Sequence, residues 1–366
     1  MKKVLSIVGA RPNFIKIAPL DKAFRKYRKE VKHLICHTGQ HFDSSMSSVF
    51  FEELGLPKPD FYLGVGSGSH AAQTAKIMLE LEKVLEIEHP DMIIVPGDVN
   101  STLASALVAS KMGIPIAHVE AGLRSFDRTM PEEINRIVTD VVSDLLFVSE
   151  HSGIRNLRDE GIEENRIHFV GNIMIDSLEE HYEIIESNPV VSTMGLERDQ
   201  YILATFHRPN NVDDNKSLAD LLKCLTRLAE KRPVVFPVHP RTRKNIQAFG
   251  LNVNLHPNLI LTEPLGYIEF LSLMRYAELV VTDSGGIQEE TTYLGVQCIT
   301  VRKNTERPVT IDVGTNQLVG TDLERVEKVA LDILSGNTKA GRIPELWDGK
   351  TAKRITEIIV DYLAKK

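Results

Sequence analysis

Short apolar runs alternate with longer amphipathic stretches along the whole chain. Residues 4–8, 32–36, 92–95, 114–119 and 145–148 are nearly unbroken apolar runs, the pattern of strands buried on both faces. Between them, residues 17–28, 72–85 and 101–112 repeat apolar side chains at the helical period. The rhythm then restarts. Residues 201–205, 234–238, 259–261, 279–282 and 297–301 form a second set of strands, separated by helical stretches at 217–230, 267–276 and 287–294. A polar, helix-like linker at 176–188 joins the two sets. The pattern predicts an α/β protein of two doubly wound Rossmann-like domains facing a cleft. The expected boundaries are 1–172 and 173–351, with an amphipathic closing helix at 352–366 packed back on the first domain. In such folds ligands bind beyond the carboxyl ends of the strands.

Composition narrows the class. At 366 residues the chain can bury two cores, and 42% hydrophobic with 25% charged residues is ordinary for a globular protein. A net charge of −7 argues against a general nucleic-acid binder. No run approaches the roughly 18 apolar residues of a membrane span. Lys2 and Lys3 precede a short apolar run, but Arg11 and Lys16 follow at once, so a first buried strand is expected and not a signal peptide. Cys36, Cys224 and Cys298 are scattered and odd in number, as in a reduced, cytoplasmic protein. No His/Cys cluster has metal-ligand spacing, and no Gly-x-Gly-x-x-Gly follows the first strand, so neither metal nor dinucleotide cofactor is expected. Gly64-Val65-Gly66-Ser67-Gly68-Ser69 reads as a flexible loop, a lid over the cleft.

Three apolar runs of the first half end directly in charge. Val8-Gly9-Ala10-Arg11-Pro12 carries Arg11, Val95-Pro96-Gly97-Asp98 carries Asp98, and His118-Val119-Glu120-Ala121-Gly122-Leu123-Arg124 carries Glu120. One such charge is most simply solvated or a helix cap, and Asp98 is placed to cap the helix at 101–112. Three at one edge of one sheet point to a ligand. Met130-Pro131-Glu132-Glu133-Ile134-Asn135-Arg136 follows. Pro131 opens a helix whose dipole favours both glutamates, and Glu132 and Arg136 are spaced for an ion pair along it. The functional alternative gathers Asp98, Glu120 and Glu132 in one pocket. Crowding there lets one carboxyl hold a proton while another takes one.

In the second half an apolar run, Leu279-Val280-Val281-Thr282, meets the turn Asp283-Ser284-Gly285-Gly286 and opens into a helix. Backbone amides at such a helix start seat a phosphate. Glu290 lies one or two turns further in, where a carboxylate reaches the paired hydroxyls of a sugar. A nucleotide with a ribose and a diphosphate fits both. Thr205-Phe206-His207-Arg208 ends another strand. His207 there is a satisfied buried histidine, a phosphate contact or a proton carrier. His239 and Arg241 sit at a similar strand end, and Thr305-Glu306-Arg307-Pro308 follows the last strand, where it closes the diphosphate pocket. Arg11 and Lys16 approach from the opposite side of the cleft.

Taken together, Gly9-Ala10-Arg11-Pro12 with Lys16, Gly97-Asp98, the stretch from His118 to Arg124, Pro131-Glu132-Glu133-x-Asn135-Arg136, His207-Arg208, the stretch from Asp283 to Glu290, and Thr305-Glu306-Arg307-Pro308 closely resemble the non-hydrolysing UDP-N-acetylglucosamine 2-epimerases. The motifs fall in that family's order over nearly the whole chain. The resemblance implies a glycosyltransferase-B-like fold, a homodimer, and interconversion of UDP-GlcNAc and UDP-ManNAc without NAD or metal. It implies elimination of UDP to a glycal followed by re-addition, for surface polysaccharide precursors. Asp98, Glu120 and Glu132 match the family's catalytic carboxylates and His207 its catalytic histidine. Arg11 and Lys16 match residues that contact UDP, Ser284, Gly285 and Gly286 the phosphate-seating turn, and Glu290 the ribose contact. Phe270 and Arg307 match further nucleotide contacts, and Arg136 and His239 complete the candidate substrate-binding set.

Some positions depart from the family pattern. Asn13 stands where many members have glutamate, Gly97-Asp98-Val99-Asn100 replaces a threonine run, and His207-Arg208-Pro209-Asn210-Asn211 lacks a common glutamate. Phe42 replaces an arginine that holds an activating second substrate in some bacterial members. Gly39-Gln40-His41-Phe42-Asp43 and Ser125-Phe126 look more like the branch that includes epimerases of UDP-diacetamido-uronic acids. A 2-epimerase of a UDP-2,3-diacetamido-uronic acid is therefore the alternative, and a glycosyltransferase using a UDP-sugar a further one. Three clustered carboxylates argue against simple transfer, which needs one base.

Overall fold

A computed structural model describes residues 1–40, 54–251 and 255–366. The chain forms two compact units, residues 1–180 with 345–366, and residues 181–344.

The first unit is built on a parallel sheet of β1 (Lys2–Val8), β2 (Val31–His37), β3 (Phe61–Tyr62), β4 (Met92–Pro96), β5 (Ile116–Ala121), β6 (Leu145–Val148) and β7 (Ile167–Phe169), in the order β3-β2-β1-β4-β5-β6-β7. Its core joins Leu5, Ile7, Leu34, Cys36, Ile93 and Val95 of the strands to Leu81 and Leu85 of the helix His70–Glu88. The second unit is a parallel sheet of β8 (Ile202–Thr205), β9 (Val234–Pro237), β10 (Leu259–Thr262), β11 (Leu279–Thr282), β12 (Gln297–Thr300) and β13 (Asn316–Leu318), in the order β10-β9-β8-β11-β12-β13. Ile202, Ala204, Phe236, Val281 and Ile299 pack there with Leu221, Leu225 and Leu228 of the helix Asn215–Ala229. Both are Rossmann-like sheets of glycosyltransferase-B-like type. In each the strand order reverses beside the first strand, and the crevice at that reversal is where ligands bind. In the first unit it lies between β1 and β4, in the second between β8 and β11.

Some bounds differ from the sequence pattern. The first helix spans Arg11–Phe24 and so starts directly after β1. Pro12 is compatible with a first turn, since that position needs no N–H donor. The helix Ile173–Glu180 belongs to the first unit, because Ser177 Oγ donates to the Ile15 carbonyl and Asp176 accepts from Thr351 and Ala352. The division between units therefore falls after that helix, later than the expected residue 172. The closing helix Thr351–Ala364 and the buried Trp347, whose Nε1 donates to the Ser149 carbonyl at 2.9 Å, also belong to the first unit. Among the described residues no helix is long and apolar enough to cross a membrane.

Candidate active site

In the first unit the candidate residues sit at the carboxyl ends of β1, β4 and β5. Asn13 ties the first two ends together. Its Oδ1 accepts the N–H groups of Gly9 and Ala10, both at 3.0 Å, and its Nδ2 donates to the Pro96 carbonyl at 3.0 Å. The amide thus spans the reversal between β1 and β4, where it donates and accepts in one side chain; glutamate does not. One turn on, the buried Lys16 pairs with the buried Glu120. Both stand over Gly97: a Cβ there would lie 3.0 Å from Lys16 Nζ and 3.5 Å from Glu120 Oε2. Arg11 opens the helix, but its side chain lies outside the described part, as do His41, Phe42 and Asp43.

Asp98 does not cap the helix Asn100–Met112; Val99 is the N-cap residue and makes no side-chain cap bond. The Asp98 carboxylate instead pairs with Arg136, and its carbonyl accepts from Asn135 Nδ2 at 2.8 Å. Arg136 is itself fixed by Glu133 at 2.7 Å, and Glu133 accepts the N–H groups of Ser125 and Phe126, both at 2.9 Å. Burial pushes the Glu133 carboxyl up, but the Ser125 N–H and hydroxyl together with Arg136 outweigh it and hold it below the ordinary range. Glu132 is half-buried in the first turn of the helix Pro131–Val142. Two of the three carboxylates are thus each matched to a cation, where sequence suggested mutual repulsion.

Glu120 owes its position to an irregularity. The register of β5 against β6 shifts between Val119 and Ala121, so Glu120 is the extra residue of a bulge, with φ +77°. A bulge re-aims one side chain. A left-handed non-glycine costs about 1–3 kcal/mol and persists only where its surroundings hold it. The glycine-rich segment is pinned too. Val65 N donates to Thr38 O and Gly66 N to Gly39 O, both at 3.0 Å, and Gly66 O accepts from Gln73 Nε2 at 2.9 Å. These bonds tie Val65 and Gly66 of the expected flexible loop to the residues after β2 and to the helix His70–Glu88.

The second unit places its candidates at the reversal between β8 and β11. Asp283 is fully buried at the end of β11 and faces the residues that follow β8. It lies 3.1 Å from His207 Nδ1 and accepts from Arg208 N at 3.0 Å and Asn211 Nδ2 at 2.9 Å. Burial raises this carboxyl, yet His207 and the donors around it keep it below the usual range. The pairing orients the imidazole and leaves Nε2 uncommitted to Asp283. Sequence reasoning did not single out Asp283 as a site residue, although a carboxylate directly after an apolar strand was the same signal that flagged Asp98. His239 stacks obliquely 6.0 Å from the His207 ring, and its Nδ1 accepts from Arg241 N at 3.2 Å.

The Ser-Gly-Gly turn opens the helix Gly285–Leu294, and Ser284 makes no side-chain cap bond. Arg307 lies against it: a Cβ on Gly285 would stand 2.6 Å from Arg307 Nη1. Arg307 is fixed by Glu306 at 2.5 Å and Glu289 at 2.9 Å, and Thr305 Oγ1 donates to Gln288 Oε1 at 2.7 Å. A guanidinium beside helix-start amides is a fitting environment for a diphosphate. Inside the helix, burial and the neighbouring Glu289 push Glu290 up to about 8, and Tyr267 Oη donates to it at 3.4 Å. Phe270 lies half-exposed on the helix Tyr267–Arg275.

Comparison with known proteins gives this arrangement a lineage. The family model described as UDP-N-acetylglucosamine 2-epimerase matches residues 23–360. The chain belongs to the UDP-N-acetylglucosamine 2-epimerase family. It is an isomerase family, and the relatives are alike along their whole length. The UDP-N-acetylglucosamine 2-epimerase of Methanocaldococcus jannaschii is 44% identical over 364 residues, with 98% of each chain covered. The UDP-2,3-diacetamido-2,3-dideoxy-D-glucuronate 2-epimerase of Pseudomonas aeruginosa is 42% identical over 367 residues, with 99% of each covered. A crystal structure of the Methanocaldococcus jannaschii epimerase in complex with UDP-GlcNAc and UDP superposes with a TM-score of 0.91, covering 98% of this chain and 99% of that one.

Proposed function

We propose that this chain interconverts UDP-GlcNAc and UDP-ManNAc. A carboxylate takes the proton from sugar carbon 2 while the bond from carbon 1 to UDP breaks, which gives a glycal and free UDP. UDP then re-forms the bond at carbon 1, and carbon 2 regains a proton on its other face. The observation that carries this reading is the pair Asp98 and Glu120, each set against a cation at the ends of neighbouring strands. Asp98, Glu120 and Glu132 are the proton-handling groups. His207, Arg11, Lys16, Arg136, Arg307 and the amides at Ser284, Gly285 and Gly286 offset the charge that develops on the departing diphosphate. Glu290 holds the ribose, and His239 and Phe270 line the nucleotide. The test is incubation with UDP-GlcNAc in deuterated water. Deuterium at carbon 2 and formation of UDP-ManNAc are expected; neither appearing would sink the reading for that sugar.

A second sugar is favoured by the 42% identity to the diacetamido-glucuronate epimerase and by Ser125-Phe126. Exchange with a UDP-2,3-diacetamido-uronic acid alone would decide for it. We also infer a homodimer. The helices His70–Glu88, Asn100–Met112 and Pro131–Val142 surround a mainly apolar pocket of about 380 Å³ lined by Ala71, Ala75, Met78, Leu103 and Ile134, among others. A second copy would cover it. Three buried free thiols fit a cytoplasmic location.

A further inference from the structure

We infer that Asp140 and His118 form a buried clamp that holds Glu120 in its left-handed backbone and fixes the turn at Gly97 and Asp98. Both are positioning residues, and the inference rests on Glu120 acting on the sugar.

His118 and Gly122 flank Glu120 two residues to either side, and one carboxylate holds both. Asp140, fully buried on the helix Pro131–Val142, lies 2.6 Å from His118 Nδ1 through one oxygen. Its other oxygen accepts the Gly122 N–H at 3.1 Å and faces Arg124 Nη1 at 2.7 Å. The Gly122 carbonyl is held by Asn156 Nδ2 at 2.8 Å, and a Cβ on Gly122 would stand 2.5 Å from the Gly153 carbonyl. Both edges of the bulge are therefore fixed.

The second ring nitrogen of His118 extends the clamp. Nε2 lies 2.8 Å from the Gly97 carbonyl. Burial raises the Asp140 carboxyl, but His118 and Arg124 outweigh burial and keep it ionised. Both ring nitrogens thus face oxygen atoms, one on the helix and one on the neighbouring strand end. Around the ring the charges are matched: Asp140 faces Arg124, and Glu160 answers Arg124 at 2.6 Å. Glu120, on the same strand, is answered by Lys16 from the helix Arg11–Phe24. Buried ion clusters are poor sources of net stability, and where they are kept their use lies in fixing one geometry. Here the fixed geometry includes the backbone of both Glu120 and Asp98.

The two nitrogens can be tested apart. His118→Asn keeps a donor near Asp140 and gives up Gly97; His118→Gln reaches Gly97 and gives up Asp140. Deuterium exchange at carbon 2 and UDP affinity are measured for both, for Glu120→Gln, and for His118→Asn combined with Glu120→Gln. Each His118 variant is expected to lose about 100-fold in exchange rate, the scale of a small misplacement, with UDP affinity within about two-fold of the parent. In the Glu120→Gln background the added loss should fall below about three-fold, because residues acting through one another are not additive. Exchange that survives in both His118 variants but not in Glu120→Gln overturns the clamp alone. Full additivity, or exchange falling only as the folded fraction falls, also overturns it. Undiminished exchange in Glu120→Gln overturns the role of Glu120, and the clamp with it.

Discussion

Asp283 is fully buried and ionised, and it accepts hydrogen bonds from Arg208 and Asn211 while facing the His207 ring. An amide at that position keeps the shape but loses the charge that sets the imidazole. Asp283→Asn is expected to lower kcat/KM by about 100-fold, the scale of a small positional error at a reacting group. Steady-state kinetics with the thermal midpoint measured in parallel check this. Glu290 makes a different prediction. Burial and Glu289 raise its carboxyl to about 8, above the ordinary 4.5. Its stabilising contribution is therefore complete below pH 4.5 and is lost as pH rises through 8. Glu290→Gln, which cannot ionise, should flatten that fall, so that its denaturation midpoint exceeds the parent's at pH 9 relative to pH 6. Equal pH slopes in urea titrations would contradict it. The strand-end charges Asp98, Glu120 and His207 were legible in sequence because a charge directly after an apolar run is conspicuous. The clamp proposed around Glu120, Asp140 with His118, was not, since a polar residue within a helix or a strand carries no mark of what it faces.

Among the elements, the closing helix Thr351–Ala364 is capped from a distance. Asp176 accepts Thr351 N–H at 3.0 Å and Ala352 N–H at 2.7 Å, while the local N-cap Lys350 makes no side-chain cap bond. Asp176→Ala would leave two buried amides without an acceptor and should cost about 1–3 kcal/mol. The loss should appear as faster hydrogen exchange at Thr351 and Ala352. The buried strands β1, β4, β8 and β11 were readable because parallel strands covered on both faces need continuous apolar runs. Three strands escaped that reading for one reason. β3 has two residues, and β7 and β13 have three, too few to show a period. The bulge in β5 was equally silent, because hydropathy does not record register. The glycine-rich segment reads as free only while its partners at Thr38, Gly39 and Gln73 are unknown.

For the whole molecule, the restart of the strand pattern in mid-chain was the most legible feature, and the two sheets share one strand order over their first six members. The apolar pocket on the helices His70–Glu88, Asn100–Met112 and Pro131–Val142 carries the assembly prediction. The proposed homodimer should sediment as such, and Met78→Glu should sediment as a monomer while each unit keeps its fold; a dimer that persists in the variant would place the interface elsewhere. The path of the chain has a further consequence. The second unit is continuous, residues 181–344, whereas the first is completed only by residues 345–366. The later-coded unit is thus self-contained in sequence, whereas the earlier one draws Trp347 and the closing helix from the far side of it. A chain ending at Pro344 should therefore keep protected amides in β8 and β11, lose protection in β1 and β6, and be cut by proteases in its carboxylate-bearing half first.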